Sequence, residues 1–332
     1  MTEYINGANL NLLLTYKCNY LCNHCISNCG PKREETMSLN QAKDYIDNTL
    51  SVIEVGNVGY TGGEPFLYYD MLKALMDYTY NKYGIPGGVV TNSFWASSKA
   101  IVKERLDELY KSGLRSMVIS CDSYHLEYTS VEAIRHVVHK ALELGISICV
   151  NTIVTKDVKI RKNDIPDLLS LSEADIENNV TIKEIGPLRI GRALTHISAG
   201  SLIDTDNESY FNGSCPYVVN TPTITPDGSV YACCCFGDAQ KDPEKLIGYC
   251  GNIHKDTFDN VLGSMKNNLL FNIIANRGPY SLLKIITENE KDLPLRGRYL
   301  STCDICVELY HNPKVRSALG KLLDNLVSNV SV

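Results

Sequence analysis

Residues 9–25 read NLNLLLTYKCNYLCNHC. The leucine-rich run 9–15 has the length of a strand and ends at three closely spaced cysteines, Cys18, Cys22 and Cys25. Three thiolates suit an iron–sulfur cluster and leave one of its irons open, so that a small molecule can bind the metal directly. A zinc knuckle is the alternative, with Cys29 or His24 enlisted as the fourth ligand.

Downstream of this loop, strand-like and helix-like segments alternate. Strands are expected at 55–60, 87–91, 115–121, 146–154 and 180–188, and helices at 38–53, 69–83, 97–112, 130–144 and 164–171. Together with 9–15 that makes six strand–helix units, which implies a parallel sheet with helices outside. Chemistry in such folds sits at the carboxyl ends of the strands. Those ends carry the cysteine loop, Thr61-Gly62-Gly63-Glu64-Pro65, Thr91–Asn92, Ser120–Asp122, Asn151 and Arg189–Arg192. After about residue 195 the alternation stops. Helical stretches follow near 257–287 and 313–329.

Composition narrows the function class. The chain has 332 residues, a net charge of −6 and no basic block, which argues against a nucleic-acid partner. No stretch approaches the ~20 apolar residues of a membrane span, and residues 1–10 lack the regions of a signal peptide. A cytoplasmic location with no membrane partner is expected. Thirteen cysteines then point to metal or redox chemistry, since the cytosol keeps thiols reduced.

CNYLCNHC after a first strand and TGGEP after a second resemble the radical S-adenosylmethionine (SAM) superfamily. The resemblance implies a partial (β/α)6 TIM-like barrel of the α/β class. Cys18, Cys22 and Cys25 would bind a [4Fe–4S] cluster whose open iron chelates SAM. By position, Gly62, Gly63 and Glu64 would hold the methionine amino group and His24 would pack near the adenine. Ser120 and Asp122 would reach the ribose, and Arg192 would pair with SAM's carboxylate through bidentate hydrogen bonds.

A second cysteine set follows. Cys215 is separated by twelve residues from Gly228, which precedes Cys233 by four more; Cys303-Asp-Ile-Cys306 comes much later. Pro226–Ser229 reads as a turn between two strands that would bring Cys215 and Cys233 together. Four cysteines can ligate an auxiliary [4Fe–4S] cluster or a structural zinc. The layout resembles the twitch domain, a shortened SPASM domain, so the boundaries expected are 1–195 for the barrel and 196–332 for the C-terminal twitch-like [4Fe–4S] domain. In the run Cys233-Cys234-Cys235, neighbouring side chains on an extended strand would point apart, leaving Cys234 as a thiol beside the cluster.

This arrangement resembles the radical SAM peptide epimerases that mature epipeptides. In that family the cysteine after the auxiliary ligand returns a hydrogen atom. The resemblance extends through Asn92–Trp95, Asp122–His125 and the apolar helix around Leu269–Ile274; Cys235 departs from it. It implies conversion of L- to D-residues in a short ribosomally synthesised precursor peptide, with two [4Fe–4S] clusters, SAM, and flavodoxin or ferredoxin as electron donor. Crosslinking or dehydrogenation, with the auxiliary cluster accepting an electron, is the rival. The first strand starts about ten residues in, too early for a leader-binding domain before it, so peptide recognition is expected at the barrel mouth and in 238–300. Trp95 and Tyr124 are expected to line the cleft, Cys121 and Cys149 to be inert core thiols, and His136 and His139 to be solvated.

Overall fold

The computed structural model describes residues 8–203, 211, 213–234, 246–296, 299 and 301–330. Six strands, β1 (Ala8–Thr15), β2 (Val55–Gly62), β3 (Gly87–Thr91), β4 (Leu114–Ser120), β5 (Ser147–Ile153) and β6 (Val180–Ile185), pair in parallel in chain order. Helices α1 (Leu39–Val52), α2 (Tyr69–Tyr83), α3 (Lys99–Lys111) and α4 (Val131–Glu143) connect the first five. The short α5 (Ile165–Leu169) and α6 (Glu173–Asn178) precede β6.

Local chemistry sets these boundaries. Ser38 and Gln41 form a capping box at the start of α1, and Ser98 and Ser130 cap α3 and α4. Gly84, at φ 69°, ends α2 in the left-handed conformation that a side chain would resist. The α4 face Ile134, Val137, Val138 and Ala141 is fully buried over the sheet, which is what its helical spacing dictates. Leu10, Leu12 and Leu14 of β1 are fully buried as well, while the intervening Leu13 belongs to a second apolar group around the cysteines.

The short helix α7 (Ala193–His196) closes the barrel segment. Beyond it the sheet does not stop. Strand β7 (Thr223–Ile224) pairs in parallel with β1, and β8 (Ser229–Tyr231) and β9 (Tyr249–Asn252) follow antiparallel, giving one nine-stranded sheet. The turn expected at Pro226–Ser229 is the link between β7 and β8. The helical stretch expected at 257–287 is two helices, α8 (Phe258–Asn267) and α9 (Leu269–Asn289), the second kinked at Gly278–Pro279. α10 (Thr302–His311) and α11 (Pro313–Val330) complete the chain. Among the described residues no helix is long and apolar enough to cross a membrane.

Candidate active site

The loop after β1 is tied at both ends before its cysteines are placed. Lys17 bridges to Gly30, and the Cys18 N–H donates to the Gly30 carbonyl at 3.2 Å. Cys18 Sγ accepts the Tyr20 N–H at 3.4 Å and the Asn92 amide at 3.7 Å, and Cys25 Sγ accepts the Cys29 N–H at 3.3 Å. Donors aimed at sulfur favour thiolates, the form that ligates iron. The neighbouring Cys29 thiol, the Cys29 N–H and the Arg192 charge outweigh burial and bring the Cys25 thiol down to about 6.

Gly62 and Gly63 are required by this loop. A Cβ on Gly62 would meet the Thr15 backbone, and one on Gly63 would fall inside the Lys17 carbonyl. The end of β2 thus lies flush against the start of the cysteine loop. Glu64 turns inward. Its carboxylate accepts the N–H groups of Phe66 and Asn92 and the hydroxyl of Thr91, fastening β2 to the end of β3. Burial is the largest influence on it and pushes its pKa up to about 7.

Asp122, expected to reach the ribose, has protein partners of its own. It is fully buried, accepts the N–H groups of Tyr124 and His125, and pairs with His125 Nδ1 at 2.9 Å. Its carboxylate is committed to the turn beneath the site. Burial opposes protonation of His125, but the Asp122 charge and hydrogen bond and contact with Cys22 prevail, raising its pKa to about 10. His24 lies against both rings, at 5.0 Å from His125 and 5.2 Å from Tyr124. Burial and the His125 charge hold His24 neutral, with a pKa of about 4. Cys22, His24 and His125 present their ligating atoms within 4.8 Å of one another. In the sequence His125 stands out only as part of the segment Asp122–His125; its spacing of three from Asp122 is the signal for its role.

Tyr124 also lines a cleft of about 400 Å³ with Ser123, Thr155, Asp157 and the segment after β6. Ser120, half-buried, is the last residue of β4. Trp95 does not reach the cleft: it is buried, stacked on Phe66 at 4.2 Å. Arg192 is buried too. Its two terminal nitrogens donate to the carbonyls of Cys22, at 2.8 Å, and Cys29. These bonds to the cysteine loop use two of the guanidinium's five N–H donors.

Cys215, Cys233, Cys303 and Cys306 line one small pocket, otherwise walled by Val218, Ile247, Phe271, Ile274 and tyrosine rings. Cys233 follows β8, Cys215 is held by its N–H bond to the Ile274 carbonyl of α9 at 3.0 Å, and the first two turns of α10 supply the other two. Cys306 is pushed well above the usual thiol range by burial and by the other three sulfurs. Four convergent thiols in an apolar setting match the donor set of an iron–sulfur cluster. Cys234 lines the same pocket. The alternation argument does not hold there, because the chain has left β8 and bends at 232–234. Cys235 lies outside the described residues. Cys121 is buried and Cys149 half-buried, and His136 and His139 bond Glu132 and the Leu169 carbonyl.

Six parallel strands with three cysteines after β1 and a glycine pair after β2 are the features of a radical SAM domain, and the radical SAM superfamily profile matches residues 12–164. A SPASM profile, an iron–sulfur cluster-binding domain, matches 215–284. The class uses SAM and a [4Fe–4S] cluster, with further iron–sulfur ligation in the SPASM domain. Among similar proteins, a "putative peptide biosynthesis protein YydG" of Bacillus subtilis (strain 168) is 25% identical over 91% of this chain and 92% of its own. A GTP 3′,8-cyclase of Clostridium botulinum (strain Okra / Type B1) is 23% identical over 61% and 66%. Two solved structures resemble the chain. BtrN with AdoMet and 2-DOIA has a TM-score of 0.48 at 15% identity, covering 83% of this chain and 89% of that one. Streptococcus suis SuiB bound to precursor peptide SuiA has 0.45 at 15%, covering 82% and 67%.

Proposed function

We propose that the chain is a radical SAM peptide epimerase acting on a short ribosomally made precursor peptide in the cytosol. The observation that carries the reading is Cys234, a fifth cysteine lining the pocket of the four auxiliary ligands. With SAM and one electron from a donor such as flavodoxin or ferredoxin, the first cluster would supply the radical chemistry that removes the Cα hydrogen of an L-residue. Cys18, Cys22 and Cys25 hold that cluster, and Cys215, Cys233, Cys303 and Cys306 a second [4Fe–4S]. The backbone at Gly62, Gly63 and Glu64 meets the methionine amino group, neutral His24 packs on the adenine, and Ser120 faces the ribose beside the turn that Asp122 organises.

Cys234 then gives its S–H hydrogen to the opposite face of the planar Cα. One C–H bond forms, one S–H bond breaks, and the sulfur is restored by one electron and one proton. The test is Cys234→Ala in heavy water. The parent should yield D-residues carrying solvent deuterium, while the variant still makes 5′-deoxyadenosine but no D-residue. A product lacking two hydrogens would instead mean crosslinking or dehydrogenation. Normal epimerisation by the variant would remove Cys234 from the mechanism.

A further inference from the structure

β6 is one edge of the sheet and β1 lies inside it, so no strand pairing joins the loop after β1 to the segment after β6. The segment Leu188–Arg192 joins them. Leu188 and Ile190 are buried in an apolar cluster with Ile247 and Val307, against which Ile26 of the first cysteine loop and Cys233, Cys303 and Cys306 all pack. Gly191, at φ 56°, lets the backbone lie against the Ile26 carbonyl, where a Cβ would collide. Arg192 then makes three bonds to the loop. Its backbone N–H donates to the Cys25 carbonyl at 2.9 Å, and its guanidinium donates to those of Cys22 and Cys29.

We propose that Arg192 is the positioning residue of the first cluster's loop, fixing the carbonyls of Cys22, Cys25 and Cys29 so that the thiols keep their spacing independently of SAM. The proposal rests on Cys18, Cys22 and Cys25 being the cluster ligands. A rigid fork can span two carbonyls seven residues apart in a way that a single ammonium cannot. Without the fork the buried Cys29 carbonyl loses this donor and the Cys22 carbonyl keeps only the Cys25 N–H at 3.1 Å.

The experiment uses the full chain, reconstituted anaerobically, as parent, Arg192→Ala, Arg192→Lys and the Cys18/Cys22/Cys25 triple alanine variant. Chelator-driven iron loss and the electron paramagnetic resonance of each reduced cluster are followed with and without SAM. Arg192→Ala should lose the first cluster at least about tenfold faster than the parent without SAM, the loss of two charge-assisted bonds. Arg192→Lys should fall between, and the auxiliary cluster should decay at the parent's rate in both. A parental lifetime in Arg192→Ala, with only the SAM-induced spectral change gone, would make Arg192 a SAM ligand and overturn the proposal. Loss of both clusters in step in both variants would make it a general fold residue and overturn it too. If the triple variant keeps the parent's full iron, the ligand assignment itself falls and the proposal with it.

Discussion

Glu64→Ala should be costly in acid and nearly neutral in mild alkali. The carboxylate accepts from the Phe66 N–H at 3.1 Å, the Thr91 hydroxyl at 3.0 Å and the Asn92 N–H at 2.7 Å, all buried. Leaving three such donors without an acceptor costs about 1–1.5 kcal/mol each, roughly 3–4 kcal/mol in all. An opposing effect comes from burial, which raises the carboxyl from its ordinary 4.5 to about 7. A carboxyl raised on folding stabilises most when protonated. Its contribution is intact below its unfolded pKa and is lost as pH climbs to the folded value. At ~1.36 kcal/mol per pH unit that loss is on the order of 3 kcal/mol, complete slightly above neutrality. The substitution should therefore cost about 3 kcal/mol at pH 5 and close to nothing at pH 8. Trp95 is the sole tryptophan and a local reporter, stacked on Phe66 with Nε1 donating to Thr91. Its fluorescence during urea denaturation gives the stability at each pH. Glu64→Gln, which keeps an acceptor and does not ionise, should show a flatter profile than the parent. A cost of Glu64→Ala that grows with pH would refute the reasoning.

Replacing Cys18, Cys22 and Cys25 together with alanine should abolish formation of 5′-deoxyadenosine while the auxiliary iron stays bound, which metal analysis and chromatography read directly. Cys303→Ala with Cys306→Ala should do the reverse, removing auxiliary iron and D-residue formation while SAM cleavage persists. Gly63→Ala places a methyl group inside the Lys17 carbonyl, so it should displace the cysteine loop and destabilise the chain by about 2–4 kcal/mol; denaturation and first-cluster iron content test this, and a parental value for both would contradict the close approach.

The barrel was legible because its strands and helices are long and strongly patterned. The expected 87–91 and 69–83 coincide with β3 and α2, and the other strands and main helices lie within a few residues of their expected ends. What the sequence hid depends on contacts far apart in the chain. β7 has two residues and β9 four, too short to show alternation; β7 forms on the edge of β1 and β9 on the edge of β8. The Cys303–Cys306 pair was visible, but not the helix that presents it. The glycines of GGE also admit the Thr15–Cys18 backbone, a close approach that their spacing does not announce. Asp122 lies just past β4 and Arg192 seven residues past β6, and their partners, His125 and the loop carbonyls, follow from packing that residue types alone do not reveal.

The pairing of β1 with β7 also bears on how the chain is made. Asn9 and Asn11 donate their N–H groups to the carbonyls of Asn220 and Pro222. On a ribosome adding about 5–20 residues per second, the partner strand emerges on the order of 10–40 s after β1. Throughout that interval β1 has β2 on one side and an unpaired edge on the other, and such an edge recruits foreign strands. A fragment ending at residue 195 would keep that edge permanently. Expression of the barrel alone should give aggregates, and the nascent full-length chain should depend on a chaperone until residue 224 has left the exit tunnel.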